Sequence, residues 1–452
     1  MIFKNVAIIG GGIIGTYNCE ILLKNQFKVS VYDISEEACL KLNTKFSDID
    51  NFIASTNPND ILKTIDAVII CVPTPIREDK TPNSDPLNSV ALTLQKFLKQ
   101  NLLITIESTI WPGYSEKDFL EILLDNSKLE VEKDFFLIHS PERVNPGDTM
   151  NFAEIARVVG GYGPNSLSIG IQFYSIFINE VIPVKSLKVA ELTKLLENSF
   201  RDINIAFINE FASYCNDFKI SVFDVIDAAS SKPYSFLPHY PGSGVGGECI
   251  PVDPNFLIWS AKDNDIGHIT LAERARWIND NRPKQIVDYT IRLTNLFFKN
   301  HENLKFFIFG ISYKPRIKDL RNAPSLTIIK ELNDHMIIPF LIDIDENDFS
   351  SVDPNLKYKI TQINTENSFN DNNTNNIVII VNGDNRINSY ISNFENFKSE
   401  NSLIIDPHRC VKNELIEKLH LPYWSYGILR NLEIDDLPKF SDFNTKEITH
   451  DN

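Results

Sequence analysis

Short runs of apolar residues alternate with amphipathic stretches along the first part of the chain. Six runs have the composition of strands that are buried on both faces: NVAIIG, KVSVYD, IDAVIICVPTP, LLITIEST, DFFLIHS and ARVVGG. Several of them are separated by about 10–15 residues with helical periodicity, which is typical of parallel strands joined by crossover helices. The pattern predicts a parallel α/β sheet in residues 1–185.

A different pattern occupies the middle of the chain. From Ser186 to about Asn216 the apolar residues follow one long helix, and a glycine- and proline-rich loop then leads into more helix. The strand pattern resumes at LKFFIFG and continues in PFLIDID, NIVIIVN, SLIIDPHR and YWSYG. We therefore predict a helical region over 186–300 and a second, smaller α/β domain over 301–430. The acidic, weakly patterned residues 431–452 are expected to be mobile.

Composition narrows the class of protein. A chain of 452 residues is long for a single core, and 43% hydrophobic with 23% charged residues is ordinary for a soluble globular protein. The formal net charge of -16 argues against general binding to nucleic acid or to anionic membranes. The six cysteines are scattered, and no apolar run reaches the ~18 residues of a membrane span. We expect a cytoplasmic protein with reduced thiols and without a metal, membrane or nucleic-acid partner.

The first predicted strand runs directly into a glycine motif. The segment AIIGGGIIG places Gly10, Gly12 and Gly15 as GxGxxG between a strand and a helix. These glycines permit a tight turn, the approach of a pyrophosphate and close packing of helix on strand. Asp33 ends the second strand, 18 positions after Gly15, where a carboxylate accepts from a ribose 2'-hydroxyl and repels a 2'-phosphate. The motif predicts NAD rather than NADP, with a turn that binds no ligand as the alternative.

The long helix carries a second signal. Glu191, Lys194, Asn198 and Arg201 have i, i+3, i+7 and i+10 spacing and therefore share one helical face. Two interpretations remain open. The residues form a solvated stripe or an ion pair at a subunit interface, or they grip a polar ligand on an otherwise apolar helix.

Three further segments follow strand ends in the first domain, which is where ligands bind in open α/β sheets. ESTIWPG places Thr109 there, and HSPERVNPGD places Glu142 there, although Glu142 beside Arg143 also suits a simple ion pair. CVPTP contains Cys71, which lies in an apolar run and is interpreted as a small buried residue rather than a nucleophile.

The segment GSGVGGECIPVDP contains a cysteine of a different kind. Cys249 lies in a loop, after four glycines, and Asp253 follows four positions later. Glycine amides and a nearby Lys194 would lower the pKa of this thiol, and only a thiolate attacks a carbonyl. A structural loop with an incidental cysteine is the alternative.

A cluster of charges follows the first strand of the second α/β domain. FGISYKPRIKDLRNAPS contains Lys314, Lys318, Asp319 and Arg321 between a strand and a helix. Cations at the carboxyl end of a strand suit a phosphate-bearing ligand. From the local sequence alone, a surface charge cluster is the favoured interpretation.

Taken together and in this order, the motifs resemble those of the UDP-glucose/GDP-mannose dehydrogenase family. The resemblance extends over nearly the whole chain, to about Arg430. It implies two Rossmann-like, doubly wound parallel-sheet α/β domains joined by a helical region with a long helix. It also implies an NAD-binding first domain, a helical middle that forms a homodimer or a higher homo-oligomer, and a C-terminal domain that binds a UDP-sugar. The implied activity is NAD-dependent oxidation of the C6 alcohol of the sugar to a carboxylate, in two hydride transfers.

The resemblance also implies roles for individual residues. Cys249 is the nucleophile that holds a thiohemiacetal and then a thioester, which keeps the reactive aldehyde bound. Lys194 and Asn198 stabilise the oxygen at C6, and Asp253 assists proton transfer or holds a water. Thr109 positions that water, and Glu142 is the base for hydrolysis.

The binding residues carried over by motif position fall into two sets. Those implied to bind NAD are Gly10, Gly12, Ile13, Ile14, Gly15, Asp33, Val72, Pro73, Thr74, Thr109 and Arg321. Those implied to bind the nucleotide-sugar are Glu142, Arg143, Val144, Lys194, Asn198, His239, Tyr240, Gly242, Gly246 and Lys314.

One position departs from the family, and another, together with the SPERVNPGD segment, bears on the choice of sugar. Relatives that oxidise UDP-N-acetylhexosamines usually have GGHCIP, whereas this chain has Glu248 before the cysteine, and we expect its carboxylate to point away from the thiol. Val252 stands where the UDP-glucose enzymes more often have lysine. By analogy we predict UDP-N-acetylglucosamine or UDP-N-acetylgalactosamine as substrate, for a surface polysaccharide such as a capsule or O-antigen. UDP-glucose oxidation and a catalytically silent binding protein are the alternatives.

Overall fold

The computed structural model describes residues 3–144, 152–298, 303–350, 352–361, 374–393, 401–432 and 437–443. The chain divides into two compact units. The first unit comprises Met1–Asn198 and Val252–Ile269, and the second comprises Ser199–Pro251 and Thr270–Asn452. The residues of the predicted helical region, 186–300, are therefore shared between the two units.

The first unit is built on one eight-stranded sheet. Its strands are β1 (Asn5–Ile9), β2 (Lys28–Tyr32), β3 (Phe52–Ser55), β4 (Ala67–Ile70), β5 (Leu103–Ile106), β6 (Phe136–His139), β7 (Arg157–Gly161) and β8 (Val181–Val184). Their order is β3-β2-β1-β4-β5-β6-β7-β8. All neighbours are parallel except β6 and β7, which are antiparallel. The strand order reverses between β1 and β4, which makes the sheet doubly wound as predicted.

The second unit is built on a seven-stranded sheet. Its strands are β9 (Leu304–Phe309), β10 (Phe340–Ile342), β11 (Lys359–Thr361), β12 (Asn375–Ile380), β13 (Ser402–Ile405), β14 (Tyr423–Ser425) and β15 (Ile428–Arg430). Their order is β11-β10-β9-β12-β13-β14-β15, with only the β14–β15 hairpin antiparallel. This sheet repeats the doubly wound arrangement, with its reversal between β9 and β12.

The helices, in chain order, are α1 (Ile13–Lys24), α2 (Glu36–Lys45), α3 (Pro58–Ile61), α4 (Asp85–Gln95), α5 (Leu120–Leu124), α6 (Pro164–Tyr174), α7 (Leu187–Asp217), α8 (Val222–Ser230), α9 (Asp253–Asp263), α10 (Thr270–Phe297), α11 (Pro324–Asp334), α12 (Ile387–Asn393) and α13 (Asn413–Lys418). Within the described part of the chain, none of them is long and apolar enough to cross a membrane.

Alternate residues of the central strands pack on opposite faces of the sheet. In β1, Val6 and Ile8 belong to the core on one face, whereas Ala7 and Ile9 belong to the core on the other face. Both faces are therefore covered, which explains why the strand sequences are apolar throughout rather than alternating.

Helix α7 buries polar side chains together with apolar ones and exposes several large apolar side chains. It begins and ends within one residue of the predicted bounds and contains neither glycine nor proline. Its buried side chains include a polar series: Glu191, Lys194, Asn198, Asp202, Asn209, Ser213 and Asn216. Its exposed side chains include a large apolar series: Leu192, Leu196, Phe200, Phe207 and Tyr214. Arg201, predicted to share the face of Glu191, is exposed, and Asp202 takes the next buried position instead.

The prediction of a mobile tail does not hold for residues 437–443. A 3₁₀ turn over Phe440–Phe443 places the ring of Phe440 in the core of the second unit, where it is fully buried. An isolated aromatic residue in an acidic segment gives no periodic signal, so the sequence pattern did not indicate this contact. Residues 433–436 and 444–452 lie outside the described residues.

Candidate active site

Loops from four neighbouring parallel strands of the first unit carry predicted site residues. Gly10 follows β1, Val72 follows β4, Thr109 follows β5 and Glu142 follows β6. Because the carboxyl ends of adjacent parallel strands meet at one edge of a sheet, these residues share that edge. The Ser108 hydroxyl donates to the backbone carbonyl of Val72 at 2.7 Å and ties two of the loops together.

The three motif glycines are needed for different structural reasons. Gly10 has φ of 104°, and a side chain there would meet the carbonyl oxygen of Cys71 at 2.7 Å. A side chain at Gly15 would overlap the carbonyl of Gly10, so both glycines are required by the fold itself. Gly12 has no neighbour within 4 Å of such a side chain and lies at the N-terminus of α1. The open space at a helix N-terminus fits the pyrophosphate of a dinucleotide.

Asp33 lies beside this turn. One carboxylate oxygen accepts from the backbone N–H of Gly11 at 2.6 Å, and the other accepts from the backbone N–H of Ser35 at 2.8 Å. Each oxygen retains a lone pair for a further donor. Ile13 and Ile14 open helix α1, with half of the Ile13 surface exposed, and Pro73 and Thr74 continue the loop after β4. The glycine turn thus contacts both Asp33 and the start of the loop after β4.

Glu142 and Lys194 form a buried ion pair, with Lys194 Nζ at 3.5 Å from Glu142 Oε2. Burial raises the pKa of Glu142, and the nearby Lys194 and Arg157 cations oppose that rise while Glu107 adds to it. Burial and Lys194 also lower the pKa of His139 to about 3, so this imidazole is neutral near pH 7. The site therefore contains a carboxylate whose pKa is raised by burial, paired with a buried lysine.

A second buried contact joins α7 to α9. The side-chain amide of Asn198 donates to Asp253 Oδ2 at 2.6 Å, and Asp253 is the first residue of α9. Asn198 lies four residues after Lys194, on the same helical face. Four predicted catalytic side chains, Lys194, Asn198, Glu142 and Asp253, are thus held in two buried pairs of the first unit.

Glu191 holds the loop that follows Thr109. Its buried carboxylate accepts from the backbone N–H groups of Gly113 at 2.6 Å and of Ser115 at 3.1 Å. Burial raises the pKa of Glu191 to about 6, and these hydrogen bonds oppose the rise. Glu191 therefore fixes the Thr109 loop to the helix that bears Lys194.

A buried network around Glu107 has no counterpart among the predicted site residues. Glu107 accepts from Asn18 at 2.8 Å and from the Tyr174 hydroxyl at 2.6 Å, and Arg157 lies 3.5 Å from it. The side-chain amide of Asn18 also donates to Cys71 Sγ at 3.4 Å. The available signal was a glutamate and an arginine in otherwise apolar strand runs, but their pairing is not visible from spacing.

Arg143 and Val144 are arranged around protein partners. The Arg143 guanidinium donates twice to Glu197, at 3.1 and 2.5 Å, and once to the carbonyl of Ala156 at 3.0 Å. The backbone N–H of Val144 donates to Glu142 Oε1. The rest of the predicted motif, residues 145–148, lies outside the described residues.

In the second unit, the loop before Cys249 packs closely against the loop after β9. A side chain at Gly246 would meet Tyr313 at 2.6 Å and the carbonyl of Asn322 at 2.8 Å. Gly247 has φ of 89°, and its N–H donates to the carbonyl of Arg321 at 3.0 Å. These two glycines therefore permit a close approach between two segments of the protein.

Glu248 is paired with a cation. Its carboxylate forms an ion pair with Arg321, whose guanidinium also contacts both oxygens of Asp319, one of them at 2.6 Å. Lys314 lies in the same loop, where its carbonyl accepts from the Ser312 hydroxyl at 2.9 Å. The predicted phosphate ligand Arg321 is thus bonded to two carboxylates.

The segment that contains His239, Tyr240 and Gly242 is anchored at its glycine. The N–H of Gly242 donates to Asn209 Oδ1 at 3.0 Å, and a side chain at this position would overlap the His408 ring. His239 Nδ1 lies 3.0 Å from the carbonyl of Leu237, and about half of the Tyr240 surface is exposed.

The other five cysteines are poor candidates for a thiolate. Burial raises the pKa of each of these thiols, and it raises that of Cys19 to about 12. Glu107 adds to the effect at Cys71, and Asp406 adds to it at Cys410. Cys249, the thiol that the motif predicts as nucleophile, is half-buried in its loop.

Sequence models of the UDP-glucose/GDP-mannose dehydrogenase family match most of the chain. The NAD binding domain matches residues 4–178, the central domain 188–281 and the UDP binding domain 307–413. Together they support the sequence resemblance and the identification of NAD as the cofactor.

Individual relatives agree with this assignment. The chain is 33% identical over 350 residues to a UDP-N-acetyl-D-mannosamine dehydrogenase of Methanococcus aeolicus, covering 73% of this chain and 76% of the relative. It is 30% identical over 348 residues to an NDP-N-acetyl-D-galactosaminuronic acid dehydrogenase of Ralstonia solanacearum, covering 73% and 80%. The solved structure of the UDP-N-acetyl-mannosamine dehydrogenase Cap5O from Staphylococcus aureus is similar with a TM-score of 0.75 and 27% identity, covering 94% of this chain and 98% of that chain.

We expect Gly12→Ala and Gly15→Ala to fail in different ways. A methyl group at Gly12 meets no protein atom but fills the space for a pyrophosphate, so the KM for NAD should rise about tenfold with little change in unfolding temperature. A methyl group at Gly15 overlaps the carbonyl of Gly10, so the free energy of unfolding should fall by about 2 kcal/mol. Thermal unfolding without ligand and NAD-dependent kinetics measure the two effects. A Gly12→Ala protein with the wild-type KM for NAD would contradict the assignment.

Proposed function

Because the chain belongs to the UDP-glucose/GDP-mannose dehydrogenase family, we propose that it oxidises the C6 alcohol of a UDP-N-acetylhexosamine to a carboxylate. It is an NAD-dependent nucleotide-sugar dehydrogenase, and the proposal concerns its sugar, its mechanism and its residues. The product would be a UDP-linked uronic acid for a surface polysaccharide such as a capsule or O-antigen.

The buried polar face of α7 is the observation that carries the proposal. Lys194 and Asn198 are desolvated one turn apart, beside the carboxylates of Glu142 and Asp253. Such groups are costly to bury, and a set of them at the carboxyl edge of a dinucleotide-type sheet is the arrangement expected of a catalytic site. Lys194 and Asn198 would stabilise the oxygen at C6 as its charge develops.

The chemistry supplied by bound NAD is acceptance of one hydride per molecule, so two NAD molecules in succession would take one hydride from the alcohol and one from the thiohemiacetal, each with loss of the hydroxyl proton. Cys249 adds its thiolate to the aldehyde carbon, and the resulting alkoxide takes a proton to give the thiohemiacetal. The second oxidation leaves a thioester on Cys249. Water then adds to the thioester carbon, the C–S bond breaks, and the thiol and the carboxylate product are released.

Hydrolysis needs a base and an ordered water. Glu142 would take the proton of the attacking water, and its raised pKa makes it a stronger base than an exposed glutamate. Asp253 would hold that water or assist proton transfer, and Thr109 would position it. Asp33 would accept from the ribose hydroxyls of NAD and disfavour NADP.

The names of the relatives narrow the choice of sugar substrate. They support an N-acetylhexosamine, with UDP-N-acetylmannosamine as the first candidate, followed by the galactosamine epimer. We propose that Arg143, Val144, His239, Tyr240, Gly242, Gly246 and Lys314 contribute to binding the nucleotide-sugar. Arg321 is proposed to contact the phosphates of the cofactor. Because Arg321 pairs with Glu248 and Asp319, its guanidinium would have to bind the phosphates and these carboxylates together.

A homodimer is proposed from the exposed apolar side of α7. Phe200, Phe207 and Tyr214 recur every seven residues, and each exposes about half or more of its surface. An aligned series of large exposed apolar side chains marks an association surface, and a second copy of α7 offers a self-complementary partner.

The substrate proposal predicts a ranking of kcat/KM. NADH formation measured with UDP-N-acetylmannosamine, UDP-N-acetylgalactosamine, UDP-N-acetylglucosamine, UDP-glucose and GDP-mannose should be fastest with an N-acetylated sugar. A preference for UDP-glucose would support the alternative UDP-glucose 6-dehydrogenase instead. No NADH with any of these sugars would favour a silent binding protein.

The mechanism predicts different defects for two variants. Cys249→Ser should reduce steady turnover about a thousandfold or more, because serine has a much higher pKa and is a poorer leaving group. Glu142→Gln should act at hydrolysis, so intact-protein mass spectrometry should show an acyl adduct in this variant and none in Cys249→Ser. Cys410→Ser is the matched control and should turn over at nearly the wild-type rate. Wild-type turnover by Cys249→Ser would exclude the thiol as the nucleophile.

The dimer proposal predicts that Phe207→Asp weakens association. A charge in the centre of the apolar series costs desolvation in the dimer but little in the monomer, so the dissociation constant should rise at least about 100-fold. Light scattering after size exclusion at several concentrations measures the mass. Glu37→Gln, at an exposed position of helix α2, should leave the mass unchanged. An unchanged mass for Phe207→Asp would place the interface elsewhere.

A further inference from the structure

The second unit contains a fully buried cation with only neutral partners among the described residues. Arg282 donates to the Ser213 hydroxyl at 2.8 Å and to Gln285 Oε1 at 3.1 Å. Its guanidinium carbon lies 4.6 Å from the ring centre of Tyr426 and 5.0 Å from that of Phe440. Burial lowers the pKa of Arg282, and Tyr426 opposes that decrease. Aromatic faces at these distances attract a cation, so both rings favour the charged guanidinium.

Phe440 comes from the C-terminal segment, which lies beyond the last residue matched by the family models, residue 413. The Phe440 ring stacks on Tyr289 with centroids 4.3 Å apart and also contacts Trp424. The carboxylate of Asp217, at the end of α7, accepts from the backbone N–H groups of Phe440 at 2.8 Å and of Ser441 at 3.2 Å. The turn is therefore docked by both its ring and its backbone.

The contacts of Arg282 converge on Gly242 by two routes. The first route passes through Ser213, whose hydroxyl donates to the carbonyl of Asn209 at 3.2 Å. The side chain of Asn209 in turn accepts from the N–H of Gly242. The second route passes through Tyr426, whose hydroxyl donates to the carbonyl of the same residue, Gly242, at 3.4 Å. The Gly242 carbonyl is thus held by Tyr426, which contacts the buried guanidinium directly, and the Gly242 N–H is held by Asn209, which is linked to the guanidinium through Ser213.

We propose that the C-terminal turn 437–443 is a positioning element for the loop around Gly242, acting through Phe440 and Arg282. Phe440 shields the guanidinium from water and holds it against Tyr426 and Ser213. These two side chains then set the backbone of the segment that carries His239, Tyr240 and Gly242. The consequence for catalysis rests on the proposed function, in which this segment binds the nucleotide-sugar.

The test compares Phe440→Ala and Phe440→Leu with Asp442→Asn. The last variant removes an exposed ion pair of the same turn, Arg292 with Asp442 at 3.3 Å, and should behave as the wild type. Phe440→Ala should raise the KM for the UDP-sugar about tenfold with kcat and the KM for NAD within about twofold. Phe440→Leu keeps apolar bulk but loses the aromatic face, so its KM should lie between the other two.

Hydrogen exchange of peptides covering residues 238–246 gives a readout that does not depend on turnover. Phe440→Ala should speed exchange there, with β1 of the first unit unchanged as the internal reference for folding. Wild-type exchange at 238–246 in Phe440→Ala, or a loss of kcat without a change in KM, would overturn the proposal. If the wild type oxidises none of the sugars, the proposed function fails, whereas the exchange result still decides the positioning role.

Discussion

Burial of polar groups along α7 is the constraint on which much of the structure depends. A buried charge without a partner is strongly unfavourable, so each such residue requires a partner from another element. Glu191 obtains backbone N–H groups from the loop after β5, and Lys194 obtains Glu142 from the loop after β6. Farther along, Asp202 pairs with Arg276 of α10 at 2.6 Å. The helix therefore determines where the loops that carry predicted site residues must lie.

The two series of side chains on α7 underlie the two roles that we propose for it, one in catalysis and one in assembly. The buried polar side chains are satisfied by protein partners, and a bound polar substrate would have to share those partners. Apolar side chains such as Phe200 and Phe207, which face solvent in one chain, gain stabilisation only when another surface covers them. A 31-residue helix can hold both series because its two faces are independent in sequence.

Much of the fold was accessible from the sequence, and the errors have physical causes. The central strands were predicted because they are buried on both faces, whereas β3 and β8 were missed because they are partly exposed edge strands. The bounds of α7 followed from its uninterrupted helical composition. The sequence motifs identified the candidate site residues. They could not identify pairs such as Glu107 and Arg157, which are 50 positions apart and become neighbours only through the sheet.

The departure of this chain at Glu248 follows the same logic of paired charges. A carboxylate next to the proposed nucleophile Cys249 would disfavour the thiolate by like-charge repulsion if it were unpaired. In the structure Glu248 forms an ion pair with Arg321, and Asp319 holds that guanidinium from its other side. The charge introduced beside the cysteine is therefore offset by a cation from the loop after β9. The substitution at Glu248 is compatible with thiolate chemistry as long as Arg321 remains in this position.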